Sequence, residues 1–127
     1  LNYISGLTSN AQTQIDAGIA KVSQTTIIVD TTPNVSNLKS LYFLDTVTAA
    51  GALVLTLPLA NTMVIGTPVR IIRLGGNAAS VAVQGSDELW DITLPGTDIA
   101  SKACSGAGKG LDMICISVSA WQIIRVD

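Results

Sequence analysis

The sequence predicts a mainly β protein, with an antiparallel, sandwich-like β domain behind one short N-terminal α-helix. Short β-branched and apolar segments recur about every ten residues between turns rich in Gly, Pro and Asn, which is typical of sandwiches and barrels. A single early segment has its apolar residues at helical spacing. No second helical pattern follows, which disfavours parallel βαβ architecture. We therefore divide the 127 residues into a helical neck, residues 1–23, and a β-rich head domain, residues 24–127.

The neck helix is predicted to begin at a capping box, because Ser9 is followed three residues later by Gln12. It should run from about residue 10 to residue 22, a rod of about 20 Å. Such a short helix is marginal in isolation, and Gly18 weakens it further. The apolar stripe therefore needs a partner, either the head domain or sister helices in a coiled coil, where isoleucine favours three strands. The stripe comprises Leu7, Ala11, Ile15, Ile19 and Val22.

The strands of the head domain are predicted from β-branched and apolar runs bounded by turn residues. The predicted strands are 25–29, 41–44, 53–57, 69–74, 80–83, 111–118 and 121–126, whereas 89–94 is ambiguous and 61–67 reads as a loop. Only Ser119 and Ala120 separate the last two strands, which predicts a tight hairpin. Both faces of strand 111–118 are apolar, a pattern typical of strands buried on both sides, including burial against another subunit.

The low content of charged residues indicates which partners the chain can have. Only 13% of the residues are charged and 48% are hydrophobic, whereas about 25% charged is usual. We expect part of the surface to be covered by other copies, although a surface rich in Ser, Thr and Asn is the alternative. The net charge is −2 and the cations are scattered, so no nucleic acid partner is expected. No apolar run reaches the roughly 20 residues of a membrane span, so no membrane insertion is expected.

The chain lacks the usual residues of catalysis. It contains no histidine, which excludes Ser–His and Cys–His nucleophile systems and removes the commonest zinc ligand. We therefore expect no enzyme activity, no metal and no cofactor. Cys104 and Cys115 match no metal-binding spacing, and free buried thiols are favoured over a disulfide. Since the chain begins with Leu1, we expect a fragment of a longer polypeptide.

One acidic group surrounds an aromatic residue: Asp87, Glu88 and Asp91 flank Trp90. The simplest interpretation is a solvated turn. The alternatives are receptor contact, with Trp90 stacking on a sugar, or an ion held by carboxylate oxygens. Acid–base catalysis is least supported, because neighbouring residues of an extended chain point to opposite faces. These four residues are the receptor-binding candidates, whereas Trp121 lies in a strand and is predicted to be core.

Residues 3–16, YISGLTSNAQTQID, resemble the neck segments of tail fibres and collar-type proteins of tailed bacteriophages. The rest of the chain is similar to phage surface domains in outline, with TLP at 56–58, GTPVRI at 66–71, GN at 76–77 and WQII at 121–124. Metal-binding HxH motifs, present in some fibre tips, are missing. The resemblance implies a viral protein of the virion, assembled in the host cytoplasm.

The resemblance also implies partners and a function. Such fibres are homotrimers joined to other virion tail proteins, and they attach the virion to a bacterial surface polysaccharide or outer-membrane protein. The first alternative is a structural connector or virion decoration protein without a receptor of its own. The second is a polysaccharide-degrading domain, which would need carboxylates that converge on one point.

Overall fold

The structure, a computed structural model, describes residues 23–127. The predicted neck helix and its stripe of Leu7, Ala11, Ile15, Ile19 and Val22 lie outside the described residues. The described part contains ten strands and one 3₁₀ turn, Ala60–Thr62. The strands are β1 Gln24–Ile27, β2 Leu41–Asp45, β3 Leu53–Thr56, β4 Pro68–Leu74, β5 Ala79–Ala82, β6 Glu88–Asp91, β7 Asp98–Ile99, β8 Ser101–Ala103, β9 Gly110–Ser117 and β10 Ala120–Val126.

The strands form two sheets, which confirms the mainly β prediction. The larger sheet has the order β1-β2-β4-β9-β10-β6-β7, and the smaller has the order β3-β5-β8. The prediction of antiparallel sheets holds only in part, because both sheets are mixed. The pairs β4–β9, β9–β10, β5–β8 and β6–β7 are antiparallel, whereas β1–β2, β2–β4, β3–β5 and β6–β10 are parallel. Alternation of apolar residues reports which face of a strand is buried, but it does not report the direction of the neighbouring strand.

Three of the four parallel pairs, β1–β2, β2–β4 and β3–β5, arise because the first half of the chain winds between the two sheets. After β1 the chain crosses to the smaller sheet, where Thr31 bridges Leu55 of β3 in parallel. It returns for β2, crosses again for β3, returns for β4 and crosses for β5. Parallel strands require such crossover connections, and here each crossover pairs with the opposite sheet, through the isolated bridge at Thr31 or through a strand. The strands β2 to β5 therefore alternate between the larger and the smaller sheet.

The predicted hairpin is confirmed at the centre of the larger sheet. Strands β9 and β10 pair antiparallel, with Ala120 opposite Ser117, and β9 also pairs antiparallel with β4. One face of β9 is buried through Leu111, Met113 and Cys115. The expectation that both faces are buried does not hold within the described chain, because Ile116 on the other face is 41% exposed.

A single hydrophobic core fills the space between the sheets. Trp121 is fully buried, and its indole Nε1 donates to the Pro58 carbonyl at 3.1 Å, so its predicted core position is confirmed. Cys104 and Cys115 are buried and free, as expected. Burial raises the pKa of both thiols.

The strand directions give the larger sheet two different ends. Strands β1, β2, β4, β10 and β6 all run the same way. They begin at the end that contains Ser23, which we call the entry end. The opposite end, which we call the far end, carries the loops 46–51, 75–77, 92–97 and 105–109.

Candidate functional site

Strand β6 and the residue before it carry the four predicted receptor-binding residues. The half-buried Asp87 accepts a hydrogen bond from the Ala60 backbone N–H to Oδ2 at 2.7 Å. The Glu88 Oε2 accepts one from the indole Nε1 of half-buried Trp90 at 3.0 Å. Both carboxylates are therefore already bound within the chain, and they lie at the entry end.

Asp91 corrects the prediction of a surface carboxylate. It is only 2% exposed, because the alternation along β6 turns Leu89 and Asp91 toward the core. Its Oδ2 lies 2.7 Å from Nζ of Lys102, on a strand of the other sheet. Its Oδ1 accepts from the backbone N–H and the hydroxyl of Thr93, at 2.9 and 2.8 Å. Asp91 is thus a buried cross-sheet ion-pair partner.

The charge of Asp91 is held by these contacts. Burial acts to raise the pKa of the carboxyl, but the hydrogen bond from Lys102 and those from Thr93 outweigh it, so the pKa lies below its ordinary value. Asp91 is therefore ionised and paired at neutral pH. Sequence reasoning missed Lys102, because two short strands, β7 and β8, were not predicted and no spacing pattern links Lys102 to Asp91.

Four exposed apolar side chains lie at the entry end. Val64 is 76% exposed, Ile65 60%, Val118 67% and Ile116 41%. The loop that carries the first two lies beside the end of β9, since the Gly66 N–H donates to the Cys115 carbonyl at 2.7 Å. We call these four exposed side chains the apolar tip. For Ile116 and Val118, the sequence indicated this exposure through the apolar pattern on both faces of strand 111–118.

Two different surfaces flank the apolar tip. On the side of β2 lies a shallow groove of about 340 Å³. Its lining comprises Ser23, Leu38, Lys39, Ser40, Thr67 and Pro68. On the side of β6 lie Asp87 and Glu88, because β10 and β6 start together, with Ala120 opposite Glu88. The entry end therefore presents a cationic flank, an apolar centre and an acidic flank.

A group of three charged side chains lies on the outer face of the larger sheet. Arg70 of β4 contacts Asp112 of β9 and Asp127, with nitrogen–oxygen distances of 2.8 Å in each case. Arg70 and Asp112 are direct neighbours in the β4–β9 register. The group ties the residue that follows β10 to the centre of the sheet, and we read it as structural because each of its charges has a partner.

The described residues show few features of other functional classes. Within residues 23–127, no cluster of three or more His, Cys, Asp or Glu side chains is placed to hold a metal ion. The same residues form no helix of the length and apolarity that crossing a membrane requires. Comparison with models of protein families and with curated proteins finds no match to the chain.

Proposed function

We propose that the chain is a fragment of a phage tail fibre, which acts as a homotrimer and attaches the virion to the bacterial host surface. It works by binding and not by catalysis. The observation that carries this proposal is the apolar tip, whose exposed side chains lie on two adjacent segments, because grouped exposed apolar side chains mark interaction surfaces. The tip lies at the end where the predicted neck joins the head, so copies held together by their necks would cover it.

The common direction of five strands gives the head two different ends, and we assign a different role to each. With the neck at the entry end, the loops of the far end face away from it. Receptor contact with a surface polysaccharide or an outer-membrane protein then belongs to loops 46–51, 75–77, 92–97 and 105–109, because loops on a rigid scaffold tolerate variation. The neck side is left for other virion tail proteins. The two free thiols suit assembly in the reducing host cytoplasm.

A structural connector or virion decoration protein is the second candidate. One observation favours it: Asp87, Glu88 and Asp91, the carboxylates that sequence reasoning assigned to a receptor, all accept hydrogen bonds or ion pairs from their own chain. A connector shares the trimer and the apolar tip but has no host ligand.

Two measurements on the whole chain test the proposal. Sedimentation equilibrium at low micromolar concentration is expected to give a trimer, and a monomer would contradict the homotrimer. Pull-down with intact host cells and with purified lipopolysaccharide is expected to retain the trimer. A trimer that binds neither would favour the connector. Loop replacements at 92–97 are expected to abolish cell binding without changing the sedimentation.

A further inference from the structure

The entry end carries opposite charges that do not meet within one copy. Lys39 precedes β2 and Glu88 opens β6, and β4, β9 and β10 lie between these strands. Four strand spacings place the two flanks about 19 Å apart. The ion pairs of residues 23–127 include neither Lys39 nor Glu88. Among the described residues, neither charge has an ion-pair partner, so each can pair with a charge on a neighbouring copy.

The arrangement of the two flanks is suited to a rotational assembly. In a cyclic oligomer, one surface of each subunit contacts a different surface of the next, and the ring closes when the rotation repeats. A cationic flank and an acidic flank on either side of an apolar centre meet this requirement. The hydrogen bond from Trp90 holds Glu88 by Oε2, so Oε1 is left to accept a hydrogen bond from the ammonium group of a neighbouring lysine.

The position of Ser23 indicates which molecule covers the entry end, namely another copy of the chain. Ser23 lies on the cationic flank, where its carbonyl accepts hydrogen bonds from the Leu41 N–H at 3.0 Å and the Ser40 hydroxyl at 2.9 Å. Residues 1–22 therefore join the head beside Lys39. An assembly held by these residues brings copies of the chain together at this end before any external partner.

We propose that the entry end is the contact between heads of neighbouring copies. The apolar tips meet around the symmetry axis, and Lys39 of one copy pairs with Glu88 of the next. The inference rests on the proposed homotrimer and assigns its head interface. It also gives Glu88 and Trp90 a role in assembly instead of receptor binding.

A charge swap tests the ion pair. Lys39→Glu and Glu88→Lys are each expected to raise the dissociation constant of the trimer about ten-fold, because each places like charges together. The double variant is expected to return within about three-fold of the wild-type value, since it restores the pair with exchanged signs. Lys109→Glu, at an exposed far-end position, changes the net charge by the same amount as Lys39→Glu; it is the control and should leave the constant unchanged.

A matched valine pair tests the apolar centre. Val118 at the tip and Val47 at the far end are 67% and 69% exposed. Val118→Asp is expected to shift the sedimentation toward monomer, whereas Val47→Asp is expected to leave the trimer intact. Circular dichroism on each variant checks that the fold is retained. If Glu88→Lys unfolds the chain, Glu88→Gln keeps an acceptor for Trp90 and is expected to reduce the salt dependence of association.

The outcomes separate the inference from the proposed function. A wild-type trimer whose double variant is as weak as the single variants would overturn the entry-end contact but leave the homotrimer standing. The same holds for a Val118→Asp variant that associates like wild type. A wild-type monomer would overturn both. Cell binding by a charge-swapped trimer would support placing receptor contact away from Lys39 and Glu88.

Discussion

Asp91 and Lys102 connect the two sheets by one ion pair. The carboxylate is nearly inaccessible, whereas the Lys102 side chain is 27% exposed. Removing one partner of such a pair leaves the other partly desolvated, which costs more than the pair itself contributes. At the residue scale, we therefore expect the fold to be sensitive to a change at either partner.

Removal of the negative charge of Asp91 tests the contribution of this pair. Asp91→Asn is expected to lower the free energy of unfolding by about 2 kcal/mol, because Lys102 loses its counterion while Thr93 keeps an acceptor. Urea denaturation at neutral pH measures the change. Asp98→Asn, an exposed position outside every ion pair of residues 23–127, is the control and should change stability by less than about 0.5 kcal/mol.

The same pair predicts a pH dependence. The pKa of Asp91 is lowered in the folded state, against about 3.9 in the unfolded chain. A depressed pKa contributes stability that is present above the unfolded pKa and lost as pH falls through the folded pKa. The difference in unfolding free energy between wild type and Asp91→Asn is therefore expected to be constant from pH 7 to about pH 5 and to shrink below about pH 4. An unchanged difference at acid pH would contradict this assignment.

At the scale of elements, the contact of β4 with β9 depends on Gly110. A Cβ there would lie 2.5 Å from the backbone oxygen of Ile71 and 3.3 Å from Cγ1 of Ile72. The backbone oxygen of a paired strand cannot move away without breaking the hydrogen bonds between the two strands. Gly110 therefore allows the close approach of the two strands that lie at the centre of the larger sheet.

Gly110→Ala is expected to destabilise the head by about 2–3 kcal/mol, the cost of forcing extra volume into a well-packed region. Gly76→Ala is the matched control, because a Cβ at Gly76 meets nothing within 4 Å and its φ is not positive. That variant should unfold within about 0.5 kcal/mol of wild type. Equal midpoints for the two variants in urea would show that β4 and β9 tolerate separation.

The observed strands can be compared with those predicted from the sequence. The strands with strong patterns were located to within one or two residues, including the hairpin that ends at Val126. The short strands β7 and β8 were missed, because two or three residues carry no periodicity. The parallel strand pairs were missed because strand direction depends on where the crossovers run. The site was predicted as a sequence cluster, yet β6 directs Glu88 and Asp91 to opposite faces.

For the whole molecule, the shared core predicts cooperative unfolding. The buried side chains of both sheets form one cluster, and Trp121 of the larger sheet is hydrogen-bonded to Pro58, which follows β3 of the smaller sheet. Tryptophan fluorescence and the far-ultraviolet strand signal are therefore expected to give the same urea midpoint. A fluorescence transition that precedes loss of the strand signal would show that the sheets unfold separately.

The central position of the β9–β10 hairpin also imposes an order in time. Ribosomal synthesis proceeds from the N-terminus at roughly 5–20 residues per second. The winding segments are thus made first, but β4 and β6 lack their inner neighbours until residues 110–126 have emerged. Until then the growing chain exposes two unsatisfied strand edges, which invite pairing with other nascent chains. Late completion of the head therefore exposes it to mispairing while several copies are synthesised on the same messenger.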